Sequence, residues 1–166
     1  MRHCARICSL VLCLTGLAGL CRAETVNFKE MLPLLAALTL PGWTAGAPTG
    51  QTVKSPFEAS EAKVEFAQGD KRLEVTIYDG GPQIGAALSA IGQMEVESTE
   101  VSIKPVAIQG FRATLNASKT DNDADLLIAA GNRLVVSLHL SGSSDGALLM
   151  TAAGQMDLKK LAALAK

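Results

Sequence analysis

Arg72-Leu73-Glu74-Val75-Thr76-Ile77-Tyr78-Asp79-Gly80-Gly81 decides how this chain is read. Leu73, Val75 and Ile77 fall on one side of an extended backbone, and Glu74, Thr76 and Tyr78 on the other. That period of two belongs to a strand with one buried and one solvated face. The pattern returns in Arg133-Leu134-Val135-Val136-Ser137-Leu138-His139-Leu140, where Arg133, Ser137 and His139 lie opposite Leu134, Val136, Leu138 and Leu140. Each stretch follows a glycine-centred turn, Gly69-Asp70-Lys71 or Gly131-Asn132, and each runs out at a glycine.

Working outward, Ala62, Val64 and Phe66 alternate with Lys63, Glu65 and Ala67, so the segment before Gly69 forms a hairpin with the opening strand. Downstream, Pro82 suits the first turn of a helix. Ile84, Leu88 and Ile91 give that helix one apolar stripe, the small residues Gly85, Ala86 and Ala90 let it approach its neighbour closely, and Gly92 ends it. Two extended segments, Glu100–Lys104 and Val106–Gln109, flank Pro105, which marks an exposed margin. Arg112–Ala117 alternates, Lys119–Asp125 is a polar turn, and Leu126–Ala130 is continuously apolar, as in a strand covered on both faces.

Near the start, Phe28, Met31, Leu32, Leu35 and Leu38 recur at helical steps, with Pro33 interrupting and Pro41-Gly42 stopping the helix. Trp43 reads as an anchor for the loop that follows, and residues 44–56 as that loop. At the far end, Ser143-Ser144-Asp145 and Asp157 cap two short helices. The links between strands are short enough for hairpins. The expectation is therefore a single α+β domain over residues 24–166, with a largely antiparallel sheet of about six strands covered by helices in α/β/α layers.

Residues 1–23 read as a leader. Arg2 and Arg6 precede an apolar run from Ile7 to Leu20, and Cys21-Arg22-Ala23 offers small residues for cleavage before Glu24. The run falls short of the roughly 20 residues of a spanning helix. All four cysteines (Cys4, Cys8, Cys13 and Cys21) lie in this leader, so the processed protein has no disulfide, thiolate metal site or Cys nucleophile. Of the 15 Lys and Arg, Arg2, Arg6 and Arg22 leave with it, so the remainder carries a net charge of −4 against 16 acids. An acidic, exported domain with few aromatics has no footprint for nucleic acid and none for stable membrane insertion. Its expected location is periplasmic or secreted.

The chemistry-bearing residues are sparse. His139 is the only histidine after the leader, a poor basis for a zinc site. A Ser-His-Asp hydrolase using it lacks the G-x-S-x-G elbow, and a solvated histidine on the polar face is the plainer reading. Asp121, Asp123 and Asp125 mimic the first positions of a calcium loop. Leu126 and Asn132, however, stand where Gly and a bidentate Glu belong, so the cluster reads as a hairpin turn with weak calcium binding left open. The acidic run Glu95–Glu100 reads as a solvated surface, and Pro82 denies Gly80-Gly81 the donors of a phosphate cradle. Asn116-Ala117-Ser118 is a glycosylation sequon.

In these features the chain resembles a group of uncharacterised bacterial secreted or periplasmic proteins. The resemblance rests on Leu32-Pro33, Pro41-Gly42-Trp43, Pro48-Thr49-Gly50, Ser60-Glu61-Ala62, Gly69 with Leu73–Asp79, Gly110-Phe111-Arg112-Ala113, Gly131–Val136 and Met156–Leu161. The layout is also similar to small antiparallel α/β/α domains of the MOG1/PsbP type. The resemblance implies a fold and brings no catalytic residue and no cofactor. The function expected is therefore non-catalytic binding of a partner protein, an envelope component or a small ligand, with the Pro105 margin and the Trp43 loop as the places of interest. A second reading is a carrier that holds an apolar ligand between helix 82–93 and strand 124–130.

Overall fold

The computed structural model describes residues 25–56 and 58–165. The leader with its four cysteines, and the cleavage expected after Ala23, lie outside the described residues.

The chain runs through α1 (Phe28–Ala36), β1 (Thr44–Ala45), β2 (Thr49–Val53), β3 (Ala59–Gln68), β4 (Lys71–Asp79), a 3₁₀ turn (Gly81–Ile84) and α2 (Gly85–Ala90). It continues through β5 (Val96–Glu97), β6 (Val101–Ile108), β7 (Phe111–Ser118), β8 (Asp123–Ala130), β9 (Leu134–Ser141), α3 (Gly146–Gly154) and α4 (Leu158–Leu164). All strand pairs are antiparallel, in the spatial order β1-β3-β4-β9-β8-β7-β6-β5, with β2 also on β3. Two meanders, β1 to β4 and β5 to β9, are thus joined along the β4–β9 seam, where Val75 faces Leu138 and Ile77 faces Val136.

The architecture is α+β with a large antiparallel sheet, but the sheet has nine strands where about six were expected. The difference lies in β1, β2 and β5. Residues 44–56 hold Thr, Gly and Pro without alternation, and read alone they are a loop. They become strands because β3 offers a free row of backbone groups that residues 44–45 and 49–53 pair with. Across Pro105 the two expected segments are one strand, β6, with the proline at the sheet's margin, where a missing donor is tolerated. Pro33, expected to interrupt the first helix, sits within α1, which ends at Ala36 ahead of Pro41-Gly42.

The buried face of the sheet meets three helices. Leu73, Val75, Ile77, Leu126, Leu138 and Leu140 have no exposed surface, and they share one cluster with Met31 and Leu35 of α1, Leu149 of α3, and Leu158 and Leu161 of α4. Trp43 packs on the margin of that cluster, as an anchor does. Asn27 caps α1 through Lys29 N–H at 3.0 Å, Asp145 caps α3 through Ala147 N–H at 3.0 Å, and Asp157 caps α4 through Lys160 N–H at 2.9 Å. Each satisfies a donor that a helix start leaves unpaired.

Among the described residues, α2 is the helix that lies on the other face. Its Leu88 and the following Ile91 pack on the facing pair Ala129 and Val135. Gly92 closes the helix with φ +78°, a conformation that disfavours a side chain, and its N–H donates to Thr114 Oγ1 at 2.7 Å. A six-residue helix covers a small part of so wide a sheet. No other helix of the described residues packs on that face, and there the candidate chemistry lies.

Candidate functional site

Cross-strand register lines up one row on the open face. It runs Glu65, Glu74, His139, Asp125, Asn116, Ile103 and Val96, from β3 to β5. Along this row the chemistry changes from charged to apolar.

At the charged end, Lys63 Nζ lies 3.2 Å from Glu74 Oε2 and 3.8 Å from Glu65 Oε1. The hydrogen bond to Glu74, and then the charge of Glu74, hold the Lys63 ammonium above its ordinary range. His139 Nδ1 lies 2.7 Å from Asp125 Oδ1, with the two side chains 47% and 37% exposed. Among the described residues no hydroxyl is hydrogen-bonded to the imidazole, although Ser137 shares its face one step away. An acid thus orients His139, but no nucleophile is set against it in this geometry. Asp121, Asp123 and Asp125 do not converge. Asp121 Oδ2 accepts from Ser118 Oγ at 2.8 Å within the turn, and Asp125 faces His139. Among the described residues no group of three or more His, Cys, Asp or Glu is placed to hold a metal.

At the apolar end, the floor dips where α2 stops. A groove of about 320 Å³ runs between Ala87, Ala90, Ile91 and Met94 on one wall and Ile103 and Leu127 on the other. Met94 and Leu127 are 58% and 38% exposed, large values for such side chains, and Val96 lies exposed beside them. Leu127 belongs to the run read as covered on both faces; α2 reaches Ala129 but not Leu127. Asn116 also borders the groove, and its Oδ1 is buried without a hydrogen-bond partner among the described residues. The sequon asparagine is therefore half-buried, not displayed. The acidic run ends as a solvated edge, where Glu97 accepts from Ser102 Oγ at 2.8 Å and pairs with Lys104 Nζ at 3.2 Å.

A second depression lies at the end of the sheet where β4 finishes and β9 begins. Its floor carries an ion pair. Asp79 has no exposed surface; its Oδ2 accepts from Val26 N–H and its Oδ1 from Gly81 N–H, both at 2.8 Å. Arg133 Nε stands 3.3 Å from Oδ2, within ion-pair reach but off the hydrogen-bond axis. The pair ties the segment that leads into α1, the end of β4 and the start of β9 to one another. The alternation puts Arg133 on the polar face with Ser137 and His139, and the structure corrects this. Arg133 precedes β9, the Gly131 turn (φ +92°) takes it out of the strand's alternation, and it is 7% exposed.

That pair carried a signal in the sequence. Asp79 continues the series Leu73, Val75, Ile77 on the apolar side, and an acid at a buried position requires a cation and donors around it. The partner is beyond sequence reasoning, because 54 positions separate Asp79 from Arg133 and only the β4–β9 pairing joins them. The groove is partly legible: helix 82–93 and strand 124–130 do supply walls of it, while Met94 and Ile103 come from segments read as linker and margin.

The sequence matches no protein-family model and no curated protein. Among solved structures it is similar to an uncharacterised protein from Mycobacterium smegmatis, with 10% identity over 79% of this chain and 97% of that one and a TM-score of 0.41. So slight a likeness carries no argument about function. No helix of the described residues is long and apolar enough to cross a membrane.

Proposed function

We propose that the protein is an exported, non-catalytic binding module of the cell envelope, and that it docks a partner protein through the groove beside α2. One observation carries the reading. Ala87, Ile91, Met94, Ile103 and Leu127 form an apolar depression beside a row of charged side chains on the same sheet face, with Met94 58% and Leu127 38% exposed. Exposed apolar surface of this kind, rimmed by polar groups, is how interaction sites differ from ordinary surface. Methionine at its lip suits a surface that adapts to its partner. An envelope location follows from the leader read at residues 1–23.

The runner-up is a carrier of a small apolar ligand in the same groove. Its volume of about 320 Å³ lies at the low end of ligand sites, in favour of that reading. Its open side favours a partner's side chain over a sequestered molecule.

Photo-reactive side chains at positions 94 and 127, and at the remote exposed Val53, test the reading in cells that export the protein. A shared adduct from 94 and 127, absent from 53 and lost on Ala87→Glu, is the expected result. No adduct, or equal adducts from all three positions, overturns it. Apolar small molecules recovered by native mass spectrometry, and lost on Ala87→Glu, shift the assignment to the carrier.

A further inference from the structure

The polar depression over the Asp79–Arg133 pair is a built site, separate from the groove. It encloses about 350 Å³, and two of its walls are buried polar groups with unmet hydrogen-bonding capacity. Thr25 is 8% exposed, and its Oγ1 has no partner among the described residues. The Arg133 side chain is also 8% exposed, and its Nε is unpartnered in the same sense, since Asp79 offsets its charge without taking that N–H. Unmet donors at such depth are uncommon, and a guanidinium presents its donors in a planar fork that matches a carboxylate. The start of α1 borders the same depression, but its Phe28 and Lys29 N–H groups donate to Thr52 Oγ1 and Asn27 Oδ1, so only its dipole adds to the pull on an anion.

The rim decides what kind of anion. Lys54, Glu30 and Glu58 line it, so with Arg133 neutralised by Asp79 the surroundings are slightly negative. A plain carboxylate is drawn to the floor and repelled by Glu30 and Glu58. A plain amine is drawn to those acids and repelled by Lys54 and Arg133. A molecule carrying both charges satisfies both. The geometry points to a binding site for a small zwitterion of the amino-acid class, its carboxylate on Arg133 and Thr25 and its ammonium toward Glu30 and Glu58. The site uses no residue of the groove and stands whether or not the groove docks a protein.

Calorimetric titration of the exported protein with glycine, L-alanine and L-lysine, against acetate and ethylamine as half-ligands, tests this. The expected result is saturable binding of at least one amino acid with millimolar or tighter affinity, about tenfold or more tighter than either half-ligand. Arg133→Lys removes the planar fork, but it also disturbs Asp79 and is a risk to folding. Thr25→Val and Glu58→Gln are the informative variants, because each preserves shape while removing one polar contact. Each weakens binding about fivefold or more while the unfolding midpoint stays near that of the parent. Absence of saturable binding by every amino acid at about 10 mM overturns the proposal. So does acetate or ethylamine binding as tightly as the amino acids, or binding indifferent to both variants.

Discussion

On the core face, Leu73, Val75 and Ile77 of β4 meet Leu140, Leu138 and Val136 of β9 with no exposed surface. One residue out of step, Glu74, Thr76 and Tyr78 meet His139, Ser137 and Val135 on the face that only α2 covers. The same two strands therefore build both environments, and what separates them is the helix cover. Three helices close the core face, and its side chains are fixed by packing. On the open face the six residues of α2 reach Ala129 and stop short of Leu127. The groove exists because the cover ends there, while the Lys63, Glu74, His139 and Asp125 side of the same face is solvated polar contacts. The proposed binding surface follows from incomplete burial, not from a special motif.

The contrast can be broken most severely at Asp79. Asp79→Ala removes the acceptor of two buried N–H groups and strands Arg133, and loss of a buried partner of this kind costs about 3–5 kcal/mol; urea unfolding measures it. Next comes a pair of neighbours on opposite faces. Leu138→Ala empties a fully buried position and costs about 2–5 kcal/mol, whereas His139→Ala, one residue on, stays within about 0.5 kcal/mol despite its contact with Asp125. Equal costs at the two positions refute the two-face account.

A smaller effect sharpens the role of α2. Gly92→Ala forces a side chain into a left-handed conformation and brings a Cβ to 3.3 Å from the Arg112 Cβ. The strain is about 1–2 kcal/mol. Amide exchange rises at Leu88 and Ile91 and stays unchanged at Leu138.

The smallest effect is on acid sensitivity at the β5 edge. The hydrogen bond from Ser102, then that from Lys104 and its charge, hold the Glu97 carboxylate below its usual range. A depressed carboxylate adds stability above its unfolded pKa, and that stability is lost as pH falls through its folded value. The β5–β6 edge therefore loosens on acidification below about pH 4.3. Glu97→Gln flattens that dependence, and amide exchange of Ile103, whose strand position faces Val96, reads it. Both groups are exposed, so the global unfolding free energy barely moves.

Alternation in 72–79 and 134–140 determined that these segments are strands and which side of each is buried, and the short links and helical periodicities elsewhere gave an α+β domain with antiparallel pairing. Asp145 and Asp157 announced their helices, because capping is local chemistry within three residues. The tertiary structure decided what depends on pairing at a distance: that residues 44–45 and 49–53 are strands at all, that α2 takes the face opposite the other helices, and that Met94 meets Ile103 and Leu127. It also decided that Asp79, read as the end of a strand, holds Arg133 across 54 positions. Local propensity acts over a few residues, whereas a buried charge and an uncovered apolar groove depend on which distant segments the sheet brings together.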